Sequence, residues 1–285
     1  MKPAPFTLHR PATLAQATAL LHDLADEDAR LIAGGQSLAP MMAFRLARPG
    51  HLIDLNGVGE LAHLCESGGM IEIGALIRHV DIARRAIPGV TGALLRAVLP
   101  HIAHHPIRTR GTFCGSLAHA DPASEWCLTA ATLDATLVAH SASGRREIAA
   151  RDYFEGAMAT ALRADEVLSS VRLPQLPEGA RFAFHEFSRR SGDFAIAAAL
   201  VIFELRDGLI AQARIGIGGA EDRPRRISEA EAVLNGRKPS PELFVEAGAA
   251  VAAALCPMED ISTSAAYRRE LAATLTERAL EEAAR

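Results

Sequence analysis

Two short segments, Ala33-Gly34-Gly35-Gln36-Ser37-Leu38 and Arg110-Gly111-Thr112-Phe113-Cys114-Gly115-Ser116, combine small residues with side-chain hydroxyls. Small residues let a backbone approach a ligand closely, and bare N–H groups on such a turn form an anion-binding concavity. Two segments of this kind fit a ligand gripped from both sides, most simply by a pyrophosphate. Neither spells a standard nucleotide motif: A-G-G-x-S has the spacing of neither G-x-G-x-x-G nor the phosphate loop G-x-x-x-x-G-K-S/T. Taken singly, each could equally be an ordinary strand-to-helix turn. The surroundings favour binding, because Arg108 to Glu125 runs for eighteen residues with almost no helix or strand period. Loops of that length and composition usually carry function.

Other polar side chains promise less. His101, His104 and His105 lie at helix-like spacing, but no neighbouring carboxylate or cysteine completes a metal set, so no metal ligand is assigned. His119 and Asp121 could imitate an acid–base pair and read better as loop-fixing hydrogen-bond partners. Cys65, Cys114, Cys127 and Cys256 lack C-x-x-C spacing, which argues against a zinc ribbon or an iron–sulfur cluster and favours a reducing compartment. Cys127 and Cys256 read as buried apolar fillers.

The elements that must position the two segments follow from hydrophobic period. Residues 1–57 alternate in the βαβ manner: strand Phe6–His9, a Thr13-capped helix to Leu24, strand Arg30–Ala33, helix Pro40–Leu46, strand His51–Asp54. The first glycine segment falls at the carboxyl end of the second strand, where open α/β sheets place ligands. Residues 58–177 form a second α/β unit. It has strand-like runs at Leu64 and Ile71–Ile73, helices Arg78–Ala86, Ala93–Ala103 and Trp126–Leu133, and strands Thr136–Ala139 and Arg145–Ile148. The prolines and glycine of Leu173 to Gly179 mark a boundary. Beyond it, residues 178–285 read as strands Arg181–Ser188, Ala195–Leu205 and Leu209–Ile217, with a hairpin at Asp207-Gly208. Helices Ser228–Leu234, Pro241–Ala254 and Ala265–Ala284 follow. The fold class is therefore α+β: two α/β subdomains and a C-terminal three-stranded antiparallel sheet with helices.

Composition narrows the function. The 285 residues are 49% hydrophobic and 22% charged, an ordinary globular balance. A net charge of −4 and only 5% aromatics offer no basic, aromatic-studded face for nucleic acid. The longest apolar-looking run, Ala247 to Cys256, is too short to span a bilayer. A soluble, cytoplasmic protein is expected.

Both segments resemble the flavin-binding signatures of the FAD-binding medium subunit of the molybdenum hydroxylases, the xanthine dehydrogenase and carbon monoxide dehydrogenase family. That family shows A-G-G-H/Q-S-L in the first segment and R-N-x-G-T-I/L-G-G-N/S-L-A-H-A-D-P-A-x-D in the second. Pro49 to Leu55, Ile73 to Leu76, Asp165 to Leu168, Ser188 to Ala195, and Gly218 to Ala220 with Pro224 to Arg226 echo it in matching order. The substituents are closest to subunits paired with N-heterocycle-oxidising partners.

The resemblance implies two α/β subdomains clasping FAD. Ala33, Gly34, Gly35, Gln36, Ser37 and Leu38 would wrap the pyrophosphate, and Thr112, Phe113, Cys114, Gly115 and Ser116 would form the opposing clasp. Glu125 stands where the family often has a carboxylate contacting the cofactor, and Ile102 and Leu168 at apolar positions expected to pack on its rings. It implies no catalytic acid, base or nucleophile from this chain. It also implies a large molybdenum–pterin partner subunit, a small partner with two 2Fe–2S clusters, and a dimer of heterotrimers. The chain departs from the pattern at Cys114, where a glycine is usual, and at Phe194, where some relatives carry tyrosine. A stand-alone FAD-dependent oxidase and a non-catalytic nucleotide-binding scaffold are the alternatives.

Overall fold

The computed structural model describes residues 2–285. The chain begins with β1 (Thr7–His9), α1 (Leu14–Asp23), β2 (Ala29–Ile32), α2 (Leu38–Ala43) and β3 (His51–Asp54). The three strands form a parallel sheet in the order β1-β3-β2. Thr13 starts α1 by accepting the Gln16 N–H on its hydroxyl, and the helix buries Ala17, Thr18 and Leu21. Residues 33–37 emerge from the carboxyl end of β2 and lead straight into α2.

The middle of the chain holds β4 (Leu64–Ser67), β5 (Met70–Gly74), α3 (His79–Arg84), α4 (Gly89–Val98), α5 (His105–Arg108), α6 (Phe113–His119) and α7 (Glu125–Thr132). It continues with β6 (Thr136–Ser141), β7 (Gly144–Ala149), α8 (Ala150–Tyr153), β8 (Phe154–Gly156), β9 (Ala159–Thr160) and β10 (Val167–Pro174). Five of these strands make an antiparallel sheet, β4-β5-β10-β6-β7.

Its central strand, β10, is invisible to hydrophobic alternation. Ser169 and Ser170 interrupt its apolar run yet are buried with it. They are tolerated because the Ser169 hydroxyl donates to the Val138 carbonyl at 3.0 Å and the Ser170 hydroxyl to Glu72 at 2.7 Å. Pro100, which has no N–H, falls in a 3-10 turn over Leu99–His101, so the α-helix expected to reach Ala103 ends at Val98.

The eighteen-residue segment read as aperiodic is not all loop: α6 lies inside it. Thr112 caps that helix by accepting the Gly115 N–H at 3.0 Å, and Phe113, Cys114 and Leu117 are its buried side. Seven residues are too few to display a hydrophobic period.

The last part comprises β11 (Ala180–Phe187), β12 (Ala197–Arg206), β13 (Leu209–Gly218), β14 (Arg225–Arg226), α9 (Ser228–Leu234), α10 (Pro241–Ala254) and α11 (Ala265–Ala284). Asp207 and Gly208 turn the β12–β13 hairpin with φ of 53° and 75°. The antiparallel sheet has four strands, not three, since two-residue β14 pairs with β13. Both faces of β12 are covered. Ala199, Val201 and Phe203 join the core under α10 and α11, while Ala198, Leu200 and Ile202 join the core of the preceding residues. Among the described residues no helix is long and apolar enough to cross a membrane.

Candidate functional site

A cleft of about 520 Å³ opens between the two glycine segments, within the ~300–1,000 Å³ typical of ligand pockets. Ala33, Gly34, Gly35, Gln36, Ser37 and Leu38 line one wall, and Thr112, Cys114, Gly115 and Ser116 the other, with Leu168 and His79 also exposed to it.

The segments touch. A Cβ on Gly34 would fall 2.3 Å from the Arg110 carbonyl oxygen and 2.7 Å from the Gly111 Cα, so only glycine allows this backbone-to-backbone seam. Gly35 has a different reason to be glycine: its φ is +69°, a left-handed turn that aims the chain from β2 into α2.

The cleft walls carry uncommitted donors. Among the described residues, the amides of Gly34, Gly35, Gln36 and Ser37 donate to no other backbone group, nor do those of Thr112 and Cys114. Buried or half-buried N–H groups normally find a partner; five of these six residues are buried or half-buried, Ser37 alone being exposed, so the amides mark a place for an acceptor-rich ligand. The Ser37 hydroxyl caps nothing, and the Thr112 hydroxyl keeps its hydrogen after accepting Gly115 N–H. The one carboxylate in the lining, Asp28, is engaged by Arg30 at 3.1 Å.

Two residues that motif reasoning passes over hold the walls in register. Asn56 donates to the Ala33 carbonyl at 2.9 Å, and its side-chain oxygen accepts from the Arg78 guanidinium. The same guanidinium donates to the Arg110 carbonyl. Arg78 and Asn56 thus form a strut from one segment to the other. Only their positions at the ends of β3 and α3 could have pointed to them.

His79 lies beneath the second segment. Trp126, fully buried and stacked on Phe113 at 4.6 Å, donates its indole N–H to His79 Nδ1 at 2.9 Å. Burial, with Arg108 and Arg78 nearby, pushes the imidazole pKa down to about 4.

Cys114 presents its backbone to the cleft and its side chain to the core. Its φ is not positive, so the non-glycine residue is unstrained there. The thiol is buried, lies 3.5 Å from the Ile73 carbonyl, and is pushed well above its ordinary pKa by that burial.

Three expected residues do not line the cleft. Phe113 is fully buried because α6 turns its ring onto Trp126. Ile102 is buried, and Arg108 takes its carbonyl at 2.8 Å. Glu125 opens α7 beside His101 and Glu186. Burial raises its carboxyl pKa to about 7, helped by the charges of Glu186 and Asp121, while His101 and a backbone hydrogen bond oppose the rise. His101 Nδ1 is 3.3 Å from Glu186, whose hydrogen bond raises the imidazole pKa. Asp121 fixes its own loop by accepting the Ala123 N–H at 2.9 Å. Cys256 is exposed, not buried as expected.

Residues 4–176 match the FAD binding domain in molybdopterin dehydrogenase, and residues 182–283 the CO dehydrogenase flavoprotein C-terminal domain. The nicotine 6-hydroxylase medium subunit of Paenarthrobacter nicotinovorans is 41% identical over 273 residues, covering 96% of this chain and 95% of the relative. Among solved structures, carbon monoxide dehydrogenase from Hydrogenophaga pseudoflava superposes with a TM-score of 0.95 at 34% identity, covering 99% of this chain and 98% of that one. Quinoline 2-oxidoreductase from Pseudomonas putida 86 does so with a TM-score of 0.93 at 37% identity, over 100% and 98%. The cleft with its two glycine walls therefore lies in an FAD-binding oxidoreductase subunit: the chain belongs to the FAD-binding medium subunits of the molybdopterin hydroxylase family.

Proposed function

We propose that the chain carries the FAD of a heteromeric molybdenum hydroxylase. The observation behind this reading is the ring of uncommitted amides and hydroxyls facing each other across the Gly34–Arg110 seam. Those donors fit a pyrophosphate, which offers acceptors only. Gly34 to Ser37 bind it from one side, and Thr112, Cys114, Gly115 and Ser116 from the other. Leu168, buried beside the cleft, supplies an apolar surface for a ring. Ile102 and Glu125 remain assigned to the flavin end, outside the lined cleft.

When bound, FAD supplies two-electron storage between the one-electron 2Fe–2S clusters of a small partner subunit and an external acceptor. This chain's own task is to bind, orient and shield, and it needs no acid, base or nucleophile for it. The assembly proposed is a cytoplasmic dimer of heterotrimers with a large molybdenum–pterin subunit. The working division of the chain is 1–57 and 58–177 for the clasp and 178–285 for the C-terminal domain. We infer further that the large partner oxidises an N-heterocycle. The 41% and 37% identities to the nicotine and quinoline enzymes' chains support this, against 35% for the Afipia carboxidovorans carbon monoxide dehydrogenase medium chain.

The test is a visible spectrum of the purified chain, before and after reconstitution with FAD. Flavin bands at near one equivalent support the reading, and a colourless protein that takes up no FAD overturns it. Co-purification with molybdenum and iron–sulfur subunits, against purification alone, separates the hydroxylase from a stand-alone oxidase. Turnover of the purified complex with quinoline or nicotine, against carbon monoxide, tests the substrate class.

A further inference from the structure

His79 is 4% exposed, and what it exposes faces the cleft. Its Nδ1 accepts the indole N–H of Trp126, a group that can only donate. Trp126 is held on Phe113 and fully buried, so it cannot turn away. A proton on Nδ1 would set two donors against each other, which leaves one tautomer, with the hydrogen on Nε2. That edge lies flush against Gly111: a Cβ there would sit 2.5 Å from Nε2. The Trp126 contact is the ring's hydrogen bond among the described residues, so the Nε2–H has a fixed direction and no acceptor within the chain.

Nε2 is not sealed in: without a protein partner it still reaches solvent, and His79 lines the cleft, so its N–H is open to an incoming acceptor. Around it the free amides can only donate, the Thr112 hydroxyl oxygen already accepts the Gly115 N–H, and the cleft's one carboxylate is occupied by Arg30. Among the described residues none accepts the His79 Nε2–H. A ligand rich in anionic oxygen can accept it.

We propose that His79 is a binding residue whose Nε2–H donates to a pyrophosphate oxygen of the dinucleotide, with Trp126 as the positioning residue that fixes its tautomer. The proposal rests on the FAD reading of the cleft. Its consequence is a neutral donor that recognises the anion at physiological pH without adding charge.

The full chain, freed of flavin and labelled with 15N-histidine, tests this by NMR at pH 7 with inorganic pyrophosphate as the probe. His79 Nε2 is expected to be protonated before addition and to shift as pyrophosphate binds. His79→Phe should weaken FAD binding about tenfold, the loss of a hydrogen bond to a charged group, whereas His79→Gln should recover most of it. A Trp126→Phe variant should populate the other tautomer. An unprotonated Nε2, a shift absent at saturating pyrophosphate, or unchanged FAD affinity in His79→Phe overturns the proposal. If His79→Phe does not fold, the wild-type NMR decides. Should the wild type bind FAD while Nε2 stays unmoved, the donor role fails and the FAD reading stands. Should Nε2 shift with pyrophosphate while no FAD binds, the donor role stands and the FAD reading fails.

Discussion

Gly34 and Arg110 meet backbone to backbone: a methyl group on Gly34 would lie 2.3 Å from the Arg110 carbonyl oxygen. Two segments far apart in sequence, one following a strand of the parallel sheet and the other leading into α6, are in contact before any ligand joins them. The cleft is built by that contact.

Gly34→Ala is therefore expected to part the walls. Backbone on both sides of the seam cannot yield as a side-chain tip would, so FAD content, read as the ratio of flavin to protein absorbance, should fall at least tenfold. Gly35→Val acts through φ instead, with a left-handed backbone cost of roughly 1–2 kcal/mol. It should likewise abolish FAD retention while the C-terminal sheet and helices stay folded by circular dichroism. Full occupancy in either variant would contradict the clasp.

The strut predicts a milder phenotype. Asn56→Ala removes the bond to Ala33 and leaves the Arg78 guanidinium with one partner fewer. Loss of a hydrogen bond of this kind costs about 1 kcal/mol. FAD affinity should drop several-fold with a small decrease in Tm, and Arg78→Leu should reproduce both effects by isothermal titration.

His79 gives the flavin-free chain a pH dependence of stability. Its folded pKa is depressed to about 4, against about 6.5 when unfolded. Between those values the unfolded chain takes up a proton that the folded chain refuses. Stability is thus fully present above pH 6.5 and lost as pH falls towards 4, by roughly 3 kcal/mol in all. Glu125 works the other way: with its carboxyl raised to about 7, the folded chain holds a proton that the unfolded one releases, so its contribution grows as pH falls below 7. Urea midpoints at pH 7 and 4.5 should show the wild type losing more stability than His79→Asn, and Glu125→Gln losing more than the wild type.

Thiol chemistry checks the placement of Cys114. Cys65 and Cys256 are exposed, whereas Cys114 and Cys127 are buried, and burial raises the pKa of both buried thiols. A thiolate reagent should titrate two groups in the native chain and four in denaturant. Rapid native modification of a third would mean that Cys114 faces the cleft with its side chain.

Much of this was legible in the sequence. The helices Ser228–Leu234, Pro241–Ala254 and Ala265–Ala284 and strand His51–Asp54 lie where their periods place them, because each buries one regular face. The glycine segments and the family were readable from residue type and order. Strand β10 was not, because its serines are satisfied by partners that only the fold brings near. Helix α6 was too short to show a period, and its Thr112 cap is a single hydroxyl in a row of polar residues. Asn56, Arg78 and His79 were missed for one physical reason: their roles are defined by what stands opposite them, not by sequence neighbours.

The seam between Gly34 and Arg110 also bears on time. Each wall supplies donors from its own side alone, so a dinucleotide held between them leaves when the walls breathe apart. The residence of the cofactor is then set by the opening rate of a protein contact. Substitutions remote from the ligand, at Asn56 or Arg78, should shorten that residence before they alter any contact the ligand itself makes.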